Sequence, residues 1–248
     1  MKRAWNWTAL CATLAAMVAI GGCEWHPVDG RGNGAALMLI GLQRDYLQAD
    51  GRKPVAQDEV DPLIQAANAM IAAARANTTL VFYVRDEASP FQFISNHDRN
   101  YATPRLWGGS QIDPRVDAYA GPYFNKSGRD AFCNDKLQTW LDEQNIGSLV
   151  IGGANANHAV EATVRTAIKR GYKVTVISDA LAAGSDEQRD AAINAMKSAG
   201  ATIETSQQYV AELKPSDTVG LRGPLTGAWW LLRDKAYTPP KSESGQND

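Results

Sequence analysis

The sequence predicts an α/β fold of three layers, α/β/α, built on a mainly parallel six-stranded sheet. Three observations lead there. Apolar runs such as ALMLIGL and SLVIGG are continuous rather than alternating, as in strands covered on both faces. Between such runs lie segments of helical period, and strands alternating with helices give a parallel sheet. Several of those segments also begin at a capping residue and stop at a glycine. With 248 residues, the chain has room for one sizeable domain of this kind.

The N-terminal stretch MKRAWNWTALCATLAAMVAIGGC stands apart from the fold. Lys2 and Arg3 precede an apolar run too short for a relaxed membrane span, and small residues follow. Ile20-Gly21-Gly22-Cys23 resembles the lipobox of bacterial lipoproteins, which implies a signal peptide over 1–22 and lipid on Cys23. Glu24 then points towards the outer membrane, with the protein tethered by that lipid and facing the periplasm. A soluble secretory signal cleaved nearby is the alternative. On this reading Cys11 leaves with the signal and Cys23 takes lipid, so Cys133 remains as the single thiol.

Residues 23–35 read as a linker and 36–213 as the domain. ALMLIGL, 36–42, is the first strand. Asp61 caps a helix with Pro62 in its first turn, and Leu63, Ile64, Ala67, Met70, Ile71 and Ala74 line one face. TLVFYVRD is the second strand, and an irregular region then runs to about Gly121. PYFNK is a short third strand. NDKLQTWLDEQN is a helix closed by Gly147, and SLVIGG is the fourth strand. A helix from about Asn157 to Lys169 ends at Gly171, and YKVTVISDA is the fifth strand. Ser185 with Gln188 makes a capping box for the next helix, which stops at Gly200. ATIETS and SQQYVAELK supply the sixth strand and a last helix.

A formal net charge of −2, without a dense basic cluster, gives no case for nucleic acid as a partner. Ligands of such folds sit beyond the carboxyl ends of the strands. The residues to watch are therefore those just past Leu42, Arg85, Phe124 and Ile151.

The motifs IGLQRDY, KSGRDAF and VIGG, followed by AVEATVRTAIKRGYKVTVISDALAAGS, resemble the isochorismatase-like cysteine hydrolases over about residues 36–205. That family includes nicotinamidases and other small amidases. The resemblance implies a cysteine at a helix start that attacks a carbonyl or imine carbon, an aspartate base after the first strand, and a lysine on the third. A helix N-terminus and an ammonium both lower a thiol's pKa, and the carboxylate moves the proton. Carried across by position, the aspartate falls on Gly41, the cysteine on Ala159 and the lysine on Lys126. Two of the three are absent, and they are the two that do the chemistry.

Three other residues are candidate substitutes. Cys133 follows Ala131-Phe132 at a helix start, on a different element from the family nucleophile, where a plain core residue is the simpler reading. His158 sits one position before Ala159 and serves either as a base or ligand donor, or as a cap. Asp45 as a displaced carboxylate is disfavoured, because family members carry an acid there already. Metal binding has little support: Asp86 is well placed, but the next histidine is His97, and His26 lies in the linker. No cofactor is expected.

A lysine kept without its aspartate and cysteine is costly if buried unpaired. Lys126 then pairs with another acid, Glu161 or Asp86, or stands in water, or holds an anion. In the last case Lys126 and the amides of the helix near Asn157 attract negative charge, and Asn155, Asn157 and His158 add donors. The implied ligand is a small anion, bound without turnover.

Residues 214–248 exceed the core fold. They carry Trp229 and Trp230, suited to an interfacial anchor, a protein partner or a second copy of the chain, or to packing on their own domain. KSESGQND reads as a disordered end.

Overall fold

Strands buried on both faces read as unbroken apolar runs, and β1 (Gly34–Ile40) does so, with its last five residues buried. The computed structural model describes residues 32–88, 97, 102–103, 108–118 and 121–213. The expected signal peptide, Cys23 and the arm with Trp229 and Trp230 lie outside them. After β1 come a single turn, α1 (Arg44–Leu47), the long α2 (Gln57–Ala76) and β2 (Leu80–Asp86). Next are β3 (Tyr123–Lys126), α3 (Asp135–Glu143), β4 (Ile146–Ala154) and α4 (Glu161–Lys169). The domain closes with β5 (Lys173–Ala182), α5 (Asp186–Ser198), β6 (Thr202–Glu204) and α6 (Ser206–Glu212).

The sheet runs β3-β2-β1-β4-β5-β6, every neighbouring pair parallel. Successive side chains leave a strand on opposite faces, so β1 feeds two cores. Ala36, Met38 and Ile40 pack with Leu137, Val164 and Met196 of α3, α4 and α5. Leu37 and Leu39 pack with Leu63, Met70 and Tyr209 of α2 and α6. The three-layer α/β/α arrangement follows.

Three local expectations are corrected, two of them by contacts distant in sequence. The second helix begins at Gln57, four residues before Asp61, and Ala56 caps it without a side-chain bond. Tertiary bonds hold the extra turn: the Ala56 amide donates to Ala183 O at 2.7 Å. Buried Glu59 accepts from the Ala183 amide at 2.7 Å and from Arg189 at 2.9 Å. Pro62 therefore stands inside the helix and lacks one backbone bond. Gly147 belongs to β4, and the turn before it is made by Asn145 with φ 56°. Ser185 accepts from the Gln188 amide, but the Gln188 carboxamide turns to Asn157 at 3.2 Å. The reciprocal box stands instead at Thr205 and Gln208.

Part of the irregular region is pinned to α2 by Asp113, whose carboxylate accepts from Arg115 Nε at 2.9 Å. Arg115 reaches on to Leu47 O at 3.0 Å and Asp61 at 3.3 Å. Burial pushes the Asp113 carboxyl up, but the bonds and charge of Arg115 outweigh it and hold the group below its ordinary value. A depressed folded value stabilises above the unfolded value of about 3.9 and is lost as pH falls through the folded one. Arg115 is half exposed, so screening discounts the pair. Asp113→Asn is expected to lower stability by roughly 1–2 kcal/mol at pH 7. In thermal melts, that gap should close as pH falls below about 3.9 and through the depressed folded value.

Candidate functional site

Ligand crevices of parallel sheets open where the strand order reverses. Here the chain runs outward from β1 through β2 to β3, then returns to β4 on the other side of β1. Gly41 leaves β1 with φ +66°, and its amide donates to Val84 O at 2.9 Å. A Cβ built on Gly41 would lie 3.2 Å from Ala154 O. The backbone at this position has a glycine conformation, one that strains most side chains.

At the end of β4, Asn155 is left-handed (φ 60°, ψ 56°) and starts a single π-helical turn, Ala156–Val160. Its carbonyl accepts from the amides of His158 at 2.9 Å and Ala159 at 3.0 Å. Those two donors are thus spent within the turn rather than offered to an anion. Ala159 is 2% exposed and packs in the core with Val160 and Val164. Its carbonyl accepts from Thr163 Oγ1 at 2.8 Å, and that hydroxyl accepts from the Ala131 amide at 3.0 Å. The Asn157 side chain donates to Gln188 on α5.

Lys126 is resolved by Asp86. Its Nζ lies 2.5 Å from Asp86 Oδ1 and also donates to Gly128 O at 3.0 Å. The two side chains are 1% and 7% exposed. Adjacent strand ends bring them together, since Asp86 of β2 is the register partner of Lys126. Tyr46 donates to the other Asp86 oxygen at 3.1 Å. Gln43, fully buried, imitates a neighbouring strand: it accepts from the Asp86 amide at 2.7 Å and donates to Asp86 O at 2.8 Å. Glu161, the other acid considered for Lys126, pairs with Arg165 on its own helix at 2.9 Å. Asp45 holds the Thr103 amide at 2.6 Å, a loop-fixing role.

His158 is half-buried and neutral at pH 7. Burial lowers its pKa most, then the positive charges of Arg129, Lys53 and Lys126, with Asp86 opposing. Cys133 is exposed at the end of a short turn, Ala131–Cys133, before α3 and on a different element from Ala159. His97 is exposed, and among the described residues no group of three or more His, Cys, Asp or Glu side chains is placed to hold a metal.

Of the residues expected to face a ligand, Lys126 and His158 do share one end of the sheet. Sequence reasoning missed Lys53 and Arg129. Arg129 carried a faint signal, standing three residues past Lys126; Lys53 carried none, because only the fold returns its loop to the site.

The isochorismatase domain model matches residues 35–208, well over half the chain. A nicotinamidase from Escherichia coli is 26% identical over 207 residues, covering 68% of this chain and 94% of that protein. A protein named "probable inactive nicotinamidase" from Arabidopsis thaliana is 25% identical over 203 residues, covering 74% and 98%. Among solved structures, an isochorismatase-like hydrolase from Alkaliphilus metalliredigens aligns with TM-score 0.68 at 18% identity, covering 73% of this chain and 100% of that one. N-carbamoylsarcosine amidase from Thermoplasma acidophilum aligns with TM-score 0.62 at 24% identity, covering 70% and 96%. At these identities the structural likeness carries the fold alone.

Proposed function

We propose a function from one premise: this chain belongs to the isochorismatase family. Within that family it is a binding or scaffold member that does not perform covalent hydrolysis. One observation carries this reading. Where the chemistry needs a base and a thiol stand Gly41 and Ala159, and the remaining ammonium, Lys126, is neutralised by Asp86. Without a nucleophile to activate, that ion pair is a buried structural element. The relative named as an inactive nicotinamidase supports the reading by example.

The proposal extends to placement. Lipid on Cys23 would tether the protein to the bacterial cell envelope, at the periplasmic face of the outer membrane. The segment with Trp229 and Trp230 would meet a protein partner or a second copy of the chain. No helix among the described residues is long and apolar enough to cross a membrane.

The test is a turnover screen of the full chain against nicotinamide and isochorismate. No turnover is expected. Turnover that vanished in His158→Ala or in Cys133→Ala would favour the second reading, a hydrolase with relocated machinery, for which the half-buried imidazole on the turn after β4 is the supporting observation.

Gly41→Asp with Ala159→Cys is expected to lose roughly 1–2 kcal/mol and to restore no turnover. The aspartate meets a left-handed backbone beside Ala154 O, and Lys126 already has its carboxylate. Urea unfolding and the same assay check both parts.

A further inference from the structure

One guanidinium joins two helices and serves three carboxylates in doing so. Arg189 of α5 donates through Nη1 to Glu59 Oε1 of α2 at 2.9 Å, and the same nitrogen lies 2.7 Å from Asp186 Oδ1. Its Nη2 reaches Asp190 Oδ1 at 3.1 Å. The other Glu59 oxygen accepts from the Ala183 amide, and the Ala56 amide donates back to Ala183 O. The start of α2 is thereby fastened to the end of β5 and the first turn of α5.

Three carboxylates around one cation leave an excess of negative charge, which a proton relieves. Exposure decides where the proton goes: the Glu59 side chain is 3% exposed and that of Asp186 62%. Burial penalises an ionised group, whereas water solvates an exposed one, so Glu59 takes it. Burial pushes the Glu59 carboxyl above its ordinary value. The Ala183 amide opposes this, a hydrogen bond shared with Asp186 adds to the rise, and the Arg189 charge opposes in turn. Both charged groups that act on Glu59 come from α5. The end of β5 and the residues leading into α2 meet it with the backbone of Ala183 and Ala56, and Asp58 beside it is exposed.

We propose that this junction is a proton switch coupled to the turn after β4. With Glu59 ionised, Arg189 bridges α5 to α2. A proton from water on Glu59 turns that carboxyl into a donor to Asp186 and leaves Arg189 to the acids of its own helix. The coupling runs through the same helical turn. Gln188, the residue before Arg189, accepts from Asn157 at 3.2 Å, and Asn157 belongs to the π-helical turn that carries His158 and Ala159. A helix transmits displacement as a rigid element, so a change of partner at Arg189 reaches Asn157. The raised folded value makes this group's contribution to stability full below the unfolded value of about 4.3 and lost as pH rises through the folded one. Mild acid therefore strengthens the junction while exchanging its partners.

The experiment follows the isotopically labelled full chain by NMR from pH 7.5 to 4.5. It records the Glu59 carboxyl carbon, the Ala183 amide and the Asn157 side-chain amide. Glu59 is expected to titrate with a midpoint above the ordinary glutamate value of about 4.3, and the Ala183 and Asn157 resonances are expected to shift with that same midpoint. Asp186→Asn removes a like charge and an acceptor, and is expected to lower the midpoint; Arg189→Met is expected to raise it. Glu59→Gln is expected to abolish the shared transition, and any shift of Asn157 that survives there belongs to His158. Asp186→Asn alters an exposed side chain, so the test holds even where Arg189→Met fails to fold. A Glu59 midpoint at or below about 4.3, a midpoint unmoved in Asp186→Asn, or an Asn157 resonance that titrates identically in Glu59→Gln would overturn the switch. Each of these readings is independent of whether the protein turns over a substrate.

Discussion

Gly153→Ala is expected to keep the chain from reaching its folded state, a loss above about 4 kcal/mol. Gly153 has φ +146°, and a Cβ built there would lie 2.0 Å from Ile40 O and 2.8 Å from Ile40 C. Those are backbone atoms, so no rotamer change relieves the clash. Ile40 and Gly153 are register partners across β1 and β4, the central pair of the sheet. A methyl group would wedge the two strands apart where the crevice opens. Gly152→Ala is the control. Its Cβ would meet Ala180 Cβ and O at 3.0 Å, so a cost of about 1–3 kcal/mol is expected. Soluble yield and urea unfolding separate the two. A Gly153→Ala protein within 1 kcal/mol of the parent would contradict the close approach of these strands.

Lys126→Met is expected to cost about 3–5 kcal/mol, because breaking a buried pair from one side strands the other charge. The Asp86 carboxylate would keep Tyr46 as a donor and lose its counter-ion. Asp86→Leu/Lys126→Met is expected to regain most of that loss, since a buried ion pair competes poorly with well-packed apolar groups. Urea midpoints of parent, single and double variants give the coupling directly. A single-variant cost under 1 kcal/mol would mean that the pair is not desolvated.

Much of the architecture was legible before any coordinates. The six strands and the helices between them read off apolar runs, caps and glycine stops, with strand bounds off by at most two residues. The errors at Asp61 and Gln188 share one cause: each was a local signal outbid by a bond from a distant segment, Glu59 to Ala183 and Asn157 to Gln188. The error at Gly147 was local, since Asn145 takes the left-handed conformation in the turn before β4. The site was legible in part. Motif spacing located Gly41, Lys126, His158 and Ala159, because the family pattern is written along the chain. Asp86 was one of two acids considered for Lys126, and only strand register chose between them.

By itself the sequence determined the family, the layered sheet, and the absence of a base at 41 and a thiol at 159. Those are matters of local pattern and covalent identity, which folding does not alter. The tertiary structure alone decided what became of the remaining groups. It buried Lys126 against Asp86 and gave Gly41 a left-handed backbone. Charge pairing and desolvation act through space over a few ångströms, and residues tens of positions apart come that close only when the strands align.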